Sequence, residues 1–180
     1  MKLSIRELII CSLFASITAI LSQIAIPIPF TTVPLTMQVL AVMLCGMLLG
    51  SKLGFISQVI YLLIGAIGIP VFAQMSGGPG VIFGPTGGFL VSFPIVAFIV
   101  GYFSQQHKSK MSVMLGMILG LVTIYIIGTL QFSLITKVSF MSGLMACVLP
   151  FVFIDLIKIG LAYVIGSSVY KRVNIGIKTC

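Results

Sequence analysis

Long apolar runs broken by short Pro-, Gly- or Lys-bearing interruptions make up almost the whole chain. The first run predicts a helix over about 8–26, and Pro27-Ile28-Pro29-Phe30-Thr31-Thr32-Val33-Pro34 breaks it, because proline neither donates a backbone hydrogen bond nor fits a helix interior. A second helix is expected over about 35–50, with Thr36 and Gln38 in its first turns. The Gly50-Ser51-Lys52 turn leads to a third over about 53–69. A fourth over about 89–103 closes on Ser104-Gln105-Gln106-His107-Lys108, a fifth covers about 113–135, and a sixth about 143–170. Some runs fall short of the ~20 residues of a straight membrane span.

The stretch from Pro70 to Gly88 follows neither period. Gly and Pro dominate it, yet Val71, Phe72, Val81, Ile82 and Phe83 make it too apolar for a solvated linker. Irregular backbone near membrane depth is tolerated where protein buries it or where it lines a cavity. The expected role is a loop folded over a pocket, its glycines letting the backbone come close to a ligand. No Lys-Ser or Lys-Thr follows the glycines, so it is not a phosphate-binding P-loop.

With 59% of residues hydrophobic and 7% charged, a soluble globular domain is excluded, and one integral membrane domain over 1–180 is expected. The net charge of +8 forms no dense patch and has no aromatic platform beside it, which excludes nucleic-acid binding. Six helices place Lys2, Arg6, Lys52, Lys108, Lys110, Lys171, Arg172 and Lys178 on one side and Lys137 alone on the other. That bias predicts both termini in the cytoplasm. The basic start followed by an apolar run also fits a signal peptide. A retained first helix is expected instead, because it carries a small-residue stripe (Ala15 and Ala19, with Ser12 and Ser16 beside them) and no clear cleavage site. Cys11, Cys45, Cys147 and Cys180 show no metal-ligand spacing.

Asp155 and Glu7 are the two acidic residues of the chain, and Lys158 is the one cation far from any helix end. Spacing of three puts Asp155 and Lys158 on one helix face, where they can pair. A charge at mid-membrane costs roughly 2.5–3.5 kcal/mol on insertion scales, so a buried polar site is the default reading. A pair that only fixes helix packing is the alternative. Side chains on a helix lean toward its N-terminus, so Lys158 should reach outward toward the two uncharged loops. Pro150 frees the carbonyl of Ala146 and sits near the mouth. The result is an outward-facing cavity with aliphatic walls, a carboxylate, an ammonium, and Gln38, Thr36 and Gln74 as polar contacts. It suits a small, largely apolar solute with a hydrogen-bonding head. An aspartyl protease needs a second membrane carboxylate, a hydrolase needs a base beside its nucleophile, and His107 is the sole histidine. A stand-alone ion- or proton-coupled carrier would use Asp155 as relay, but the halves show no repeat. A non-catalytic binding subunit energised by partners remains.

At these residues the chain resembles the BioY family, the biotin-specific substrate-capture (S) components of energy-coupling factor (ECF) transporters. The matching features are Pro34-Leu35-Thr36-Met37-Gln38, Gly68-Ile69-Pro70-Val71-Phe72, Gly84-Pro85-Thr86-Gly87-Gly88-Phe89 and Asp155-Leu156-Ile157-Lys158. The resemblance implies an all-α, six-helix fold in a prokaryotic cell membrane that captures biotin from outside. It implies a transmembrane coupling subunit and two ATP-binding-cassette ATPases as partners, and no cofactor beyond the transported biotin. An S component for another vitamin is the nearest alternative. By position, Asp155 and Lys158 match the ligand-binding pair, and the loop from Gln74 to Gly80, with Gly77 and Gly78 in it, matches the region over the ligand. Ala15 and Ala19 match the motif that docks on the coupling subunit.

Overall fold

The computed structural model describes residues 3–29, 31–106 and 109–172. Lys2, His107, Lys108, Lys178 and Cys180 therefore lie outside the described residues. Helix α1 (Ile5–Ser22) starts earlier than the apolar run suggests because Ser4 and Glu7 form a capping box. Glu7 N–H donates to Ser4 Oγ at 3.3 Å, and Ser4 N–H donates to Glu7 Oε2 at 2.8 Å. The helix stops at Gln23, and Ala25–Ile26 (β1) pairs antiparallel with Leu35–Thr36 (β2) in a two-strand ribbon. The expected helix 8–26 thus ends short, and the next one begins at Gln38 rather than 35.

Helix α2 (Gln38–Ala66) carries the sharpest backbone feature of the fold. Gly50 has φ 79° and ψ −178°, a conformation essentially confined to glycine. The chain folds back there. Gln38 Nε2 lies 2.7 Å from the hydroxyl of Tyr61, a pair that one straight helix would hold ~34 Å apart. Gly46 and Gly54 face each other across this hairpin, with Ala97 pressed against both. The arms 38–49 and 51–66 measure ~18 and ~24 Å. Short helix α3 (Pro79–Ile82) follows within the Gly/Pro-rich loop, then α4 (Gly87–Gln106), which returns to the hairpin tip. There Gln105 Oε1 accepts from Ser51 N–H at 3.1 Å and from Ser51 Oγ at 3.0 Å.

Helix α5 (Lys110–Thr136) begins at Ser109, whose side chain accepts from Ser112 N–H. The helix expected over 143–170 is two helices, α6 (Phe140–Cys147) and α7 (Val152–Arg172). Proline is the reason. Pro150 has no N–H to give the preceding turn, and the chain crosses 148–151 through turns such as Phe151 N–H to Val148 O at 2.9 Å.

Among the described residues, five helices (α1, α2, α4, α5 and α7) are long and apolar enough to cross a membrane. Their shared interior holds Met43, Tyr61, Val96, Met117, Ile124 and Ile159, all buried. The outer surface is apolar too, with Leu13, Leu63, Leu134 and Phe153 exposed. Such a surface is an anomaly in water and the normal state in lipid. Arg6, Lys52, Lys110, Lys171 and Arg172 gather at the end holding the Gly50 turn, while Lys137 lies at the other.

Gly50→Ala is expected to destabilise the fold by ~2–3 kcal/mol, since the new Cβ meets both the wrong φ and the Gln105 side chain. The check is thermal unfolding in detergent, followed with a thiol-reactive dye that reports exposure of the buried Cys11, Cys45 and Cys147.

Candidate ligand-binding site

The site begins with the break at Pro150. Because α7 starts at Val152, Asp155 falls in its first turn, where the helix dipole favours a negative charge, and Lys158 follows one turn later. Lys158 Nζ donates to Asp155 Oδ1 at 2.7 Å, with Asp155 4% exposed and Lys158 3%. Tyr125, on α5, donates its hydroxyl to Asp155 Oδ2 at 2.8 Å. Each carboxylate oxygen therefore has one partner and room for another. The ammonium has three donors, of which one is spent on Asp155 among the described residues.

These groups form one wall of a cavity of about 830 Å³, counting the part open to solvent. Val39, Leu90, Phe93, Ile124 and Phe151 supply apolar walls, and Thr36, Gln38, Gln74, Ser76, Thr86 and Tyr125 supply polar atoms. The cavity lies at the end of the bundle away from the cationic turn. Residues 32–36 and the Gly/Pro-rich loop close over it.

Thr36 and Gln38 belong to a chain of hydrogen bonds. Thr36 Oγ1 donates to Gln38 Oε1 at 2.9 Å, Gln38 Nε2 donates to Tyr61, and Tyr61 donates to Val71 O at 3.0 Å. Gln38 keeps one N–H free of this chain. At the far end of the loop, Gln131 Nε2 donates to Ile82 O at 2.7 Å and Gly84 O at 2.9 Å. Thr86, two residues beyond Gly84, lines the cavity.

The structure separates the expected site residues into three groups. Asp155, Lys158, Gln38, Thr36 and Gln74 all line the cavity. Gly77 and Gly78 do not; they shape the loop from behind. A Cβ at Gly77 would collide with the carbonyls of Ile69 and Gly68, while Gly78 adopts φ 94° and donates its N–H to Gly65 O at 2.7 Å. Ala15 is not on an outer docking face either. It is 2% exposed and packs in the protein's own core, and Ala19 is partly buried against the same core. The reason is helix phase. Cys11, Ala15, Thr18 and Ser22 form the inward side of α1, which leaves Ser12 and Ser16 outward.

Tyr125 escaped the sequence reading. Its one signal was a phenolic hydroxyl inside an unbroken apolar run, where it needs a buried partner.

Comparison with known proteins agrees with this geometry. The model of the BioY family matches residues 1–175. A probable biotin transporter BioY of Pyrococcus horikoshii is 41% identical over 90% of this chain and 94% of the relative. The biotin transporter BioY of Thermotoga maritima is 34% identical over 92% of this chain and 96% of its own. Among solved structures, the S-component for biotin from an ECF-type ABC transporter superposes with a TM-score of 0.89 at 27% identity. That match covers 96% of this chain and 95% of the other.

Removing one partner of a buried ion pair strands the other charge. Lys158→Met alone is expected to cost ~3 kcal/mol of stability, and Asp155→Leu/Lys158→Met together to recover most of it. Unfolding midpoints of the two variants in detergent decide the point.

Proposed function

The chain belongs to the BioY family, and from that premise we propose that it captures biotin at the outer face of a prokaryotic membrane and delivers it through an ATP-driven ECF-type transporter. The observation that carries this reading is the buried Asp155–Lys158 pair facing a cavity with apolar walls and a polar rim. Biotin has a cyclic urea with two N–H donors and one carbonyl acceptor, an apolar thiophane ring, and an aliphatic tail ending in a carboxylate. The carboxylate of Asp155 offers acceptors to the urea N–H groups, and the spare donors of Lys158 meet its carbonyl. The ring and tail lie along Leu90, Phe93, Ile124 and Phe151, with Gln38, Thr36 and Gln74 completing the polar rim.

Two features support the orientation. The hairpin of α2 counts as two crossings, which with α1, α4, α5 and α7 makes six. The cations gathered at the end opposite the cavity support a reading with both termini in the cytoplasm and the cavity outside. The energy comes from partners, a transmembrane coupling subunit and two ATP-binding-cassette ATPases, since the Gly-rich stretch of this chain has no P-loop lysine.

Calorimetric titration of the purified chain with biotin, with other vitamins as controls, is the test. Tight selective binding is expected, weakened by a factor of ~100 or more in Asp155→Asn, consistent with loss of a charge-assisted contact and stranding of Lys158. The double variant Asp155→Leu/Lys158→Met should fold and not bind. Unchanged affinity in both would exclude this site. ATP-independent uptake by the chain alone in vesicles would replace the partnered mechanism with a carrier.

A further inference from the structure

The loop that covers the cavity contains an energetically unfavourable turn. Gln74 and Met75 have φ of 58° and 54°, a left-handed region that costs a side-chain-bearing residue roughly 1 kcal/mol or more each. Phe72 N–H donates to Ser76 O at 2.9 Å, which closes the turn, but leaves Phe72 O and Met75 N–H pointing away from it. Both find their partner 49 and 52 residues back along the chain, in Gln23 at the C-terminal end of α1. Gln23 Nε2 donates to Phe72 O at 3.1 Å, and Gln23 Oε1 accepts from Met75 N–H at 2.9 Å. One carboxamide thus bonds the backbone on both sides of Gln74. The amide is itself aimed from α1, Nε2 lying 2.8 Å from Ser22 Oγ and 3.2 Å from Ala19 O. Ser22 Oγ adds a bond to Val71 O at 2.7 Å. Gln74 faces the cavity and Gln23 does not.

We infer that Gln23 is a positioning residue for ligand capture: its carboxamide clasps the left-handed turn and holds Gln74 over the cavity. This deepens the biotin-binding reading and rests on it. Two carboxamides clamp the covering loop, Gln23 before α3 and Gln131 after it, beside the bonds of Tyr61 and Ser22 to Val71 O and of Gly78 N–H to Gly65 O. The Gln23 end is the one with the strained backbone, so loss of that clasp opens the loop from the α1 side. Ligand then leaves faster although every group that touches it is intact.

The test compares Gln23→Ala and Gln23→Met in the full chain, the second keeping length and apolar bulk without the amide. Amide hydrogen exchange, measured without ligand, should rise roughly tenfold or more over residues 70–76 in both variants and stay unchanged over 84–88. Biotin should dissociate roughly tenfold faster from both. A residue that only supports the fold would instead lower the unfolding midpoint and the binding-competent fraction, leaving the dissociation rate of the remainder alone. Unchanged exchange over 70–76, exchange rising over the whole chain, or a Gln23→Met variant behaving like the parent would each overturn the clasp. If the parent chain binds no biotin, the proposed ligand falls, and the exchange experiment still decides the role of Gln23.

Discussion

A carboxylate surrounded by lipid-solvated helices must find its partners inside the protein, and the arrangement around Asp155 follows from that requirement. The cost of ionisation is met by three sources at once: the Lys158 ammonium at 2.7 Å, the Tyr125 hydroxyl at 2.8 Å, and the N-terminal turn of α7. The last of these exists only because Pro150 interrupts the chain. A continuous helix would have placed Asp155 in its middle, away from any helix N-terminus. The same break leaves α6 as a separate short element, so Cys147 and Phe151 can close the side of the cavity.

Away from the ion pair, neutral carboxamides tie the elements together. Gln105 fixes the Gly50 turn to α4, Gln131 and Gln23 hold the two ends of the covering loop, and Gln38 joins the start of α2 to Tyr61. Each amide offers a donor and an acceptor without the desolvation cost of a charge. This is economical in a chain whose charged residues are 7% of the total. Gln58 bonds Thr18 through its Nε2 at the interface of α1 and α2. Bonds of this kind span 23 to 54 residues of sequence, so they fix the tertiary arrangement rather than the helices themselves.

The helices were legible because apolar runs and their interruptions map directly onto segments that must satisfy their own backbone in lipid. The Asp155–Lys158 pair was legible for the related reason that charge is so scarce here. What was not legible depended on rotation or on distance. The spacing of Ala15 and Ala19 reads as close helix packing, and their burial in the protein's own core agrees with it; spacing gives a shared face and not its direction, so it could not test the docking role that the resemblance attached to them. Gly77 and Gly78 read as ligand contacts, yet their absent side chains make room for the backbone of residues 68 and 69. Tyr125 and Gln23 act across 30 and about 50 residues, through contacts no local pattern encodes. Capping extended α1 to Ile5, and the β1–β2 ribbon cut its other end short, both through local bonds that hydropathy does not register.

Because Asp155 and Lys158 sit one turn apart on one helix, they travel together and their charges cancel. Moving a single elementary charge through a membrane potential involves about 2.3 kcal/mol per 100 mV. A paired carboxylate and ammonium displaced as a unit involve almost none. Whatever shift of α7 accompanies release, the transmembrane voltage does no net work on the protein's own site. If biotin is carried in this cavity as proposed, the charge that the occupied site itself moves through the field is the ligand's.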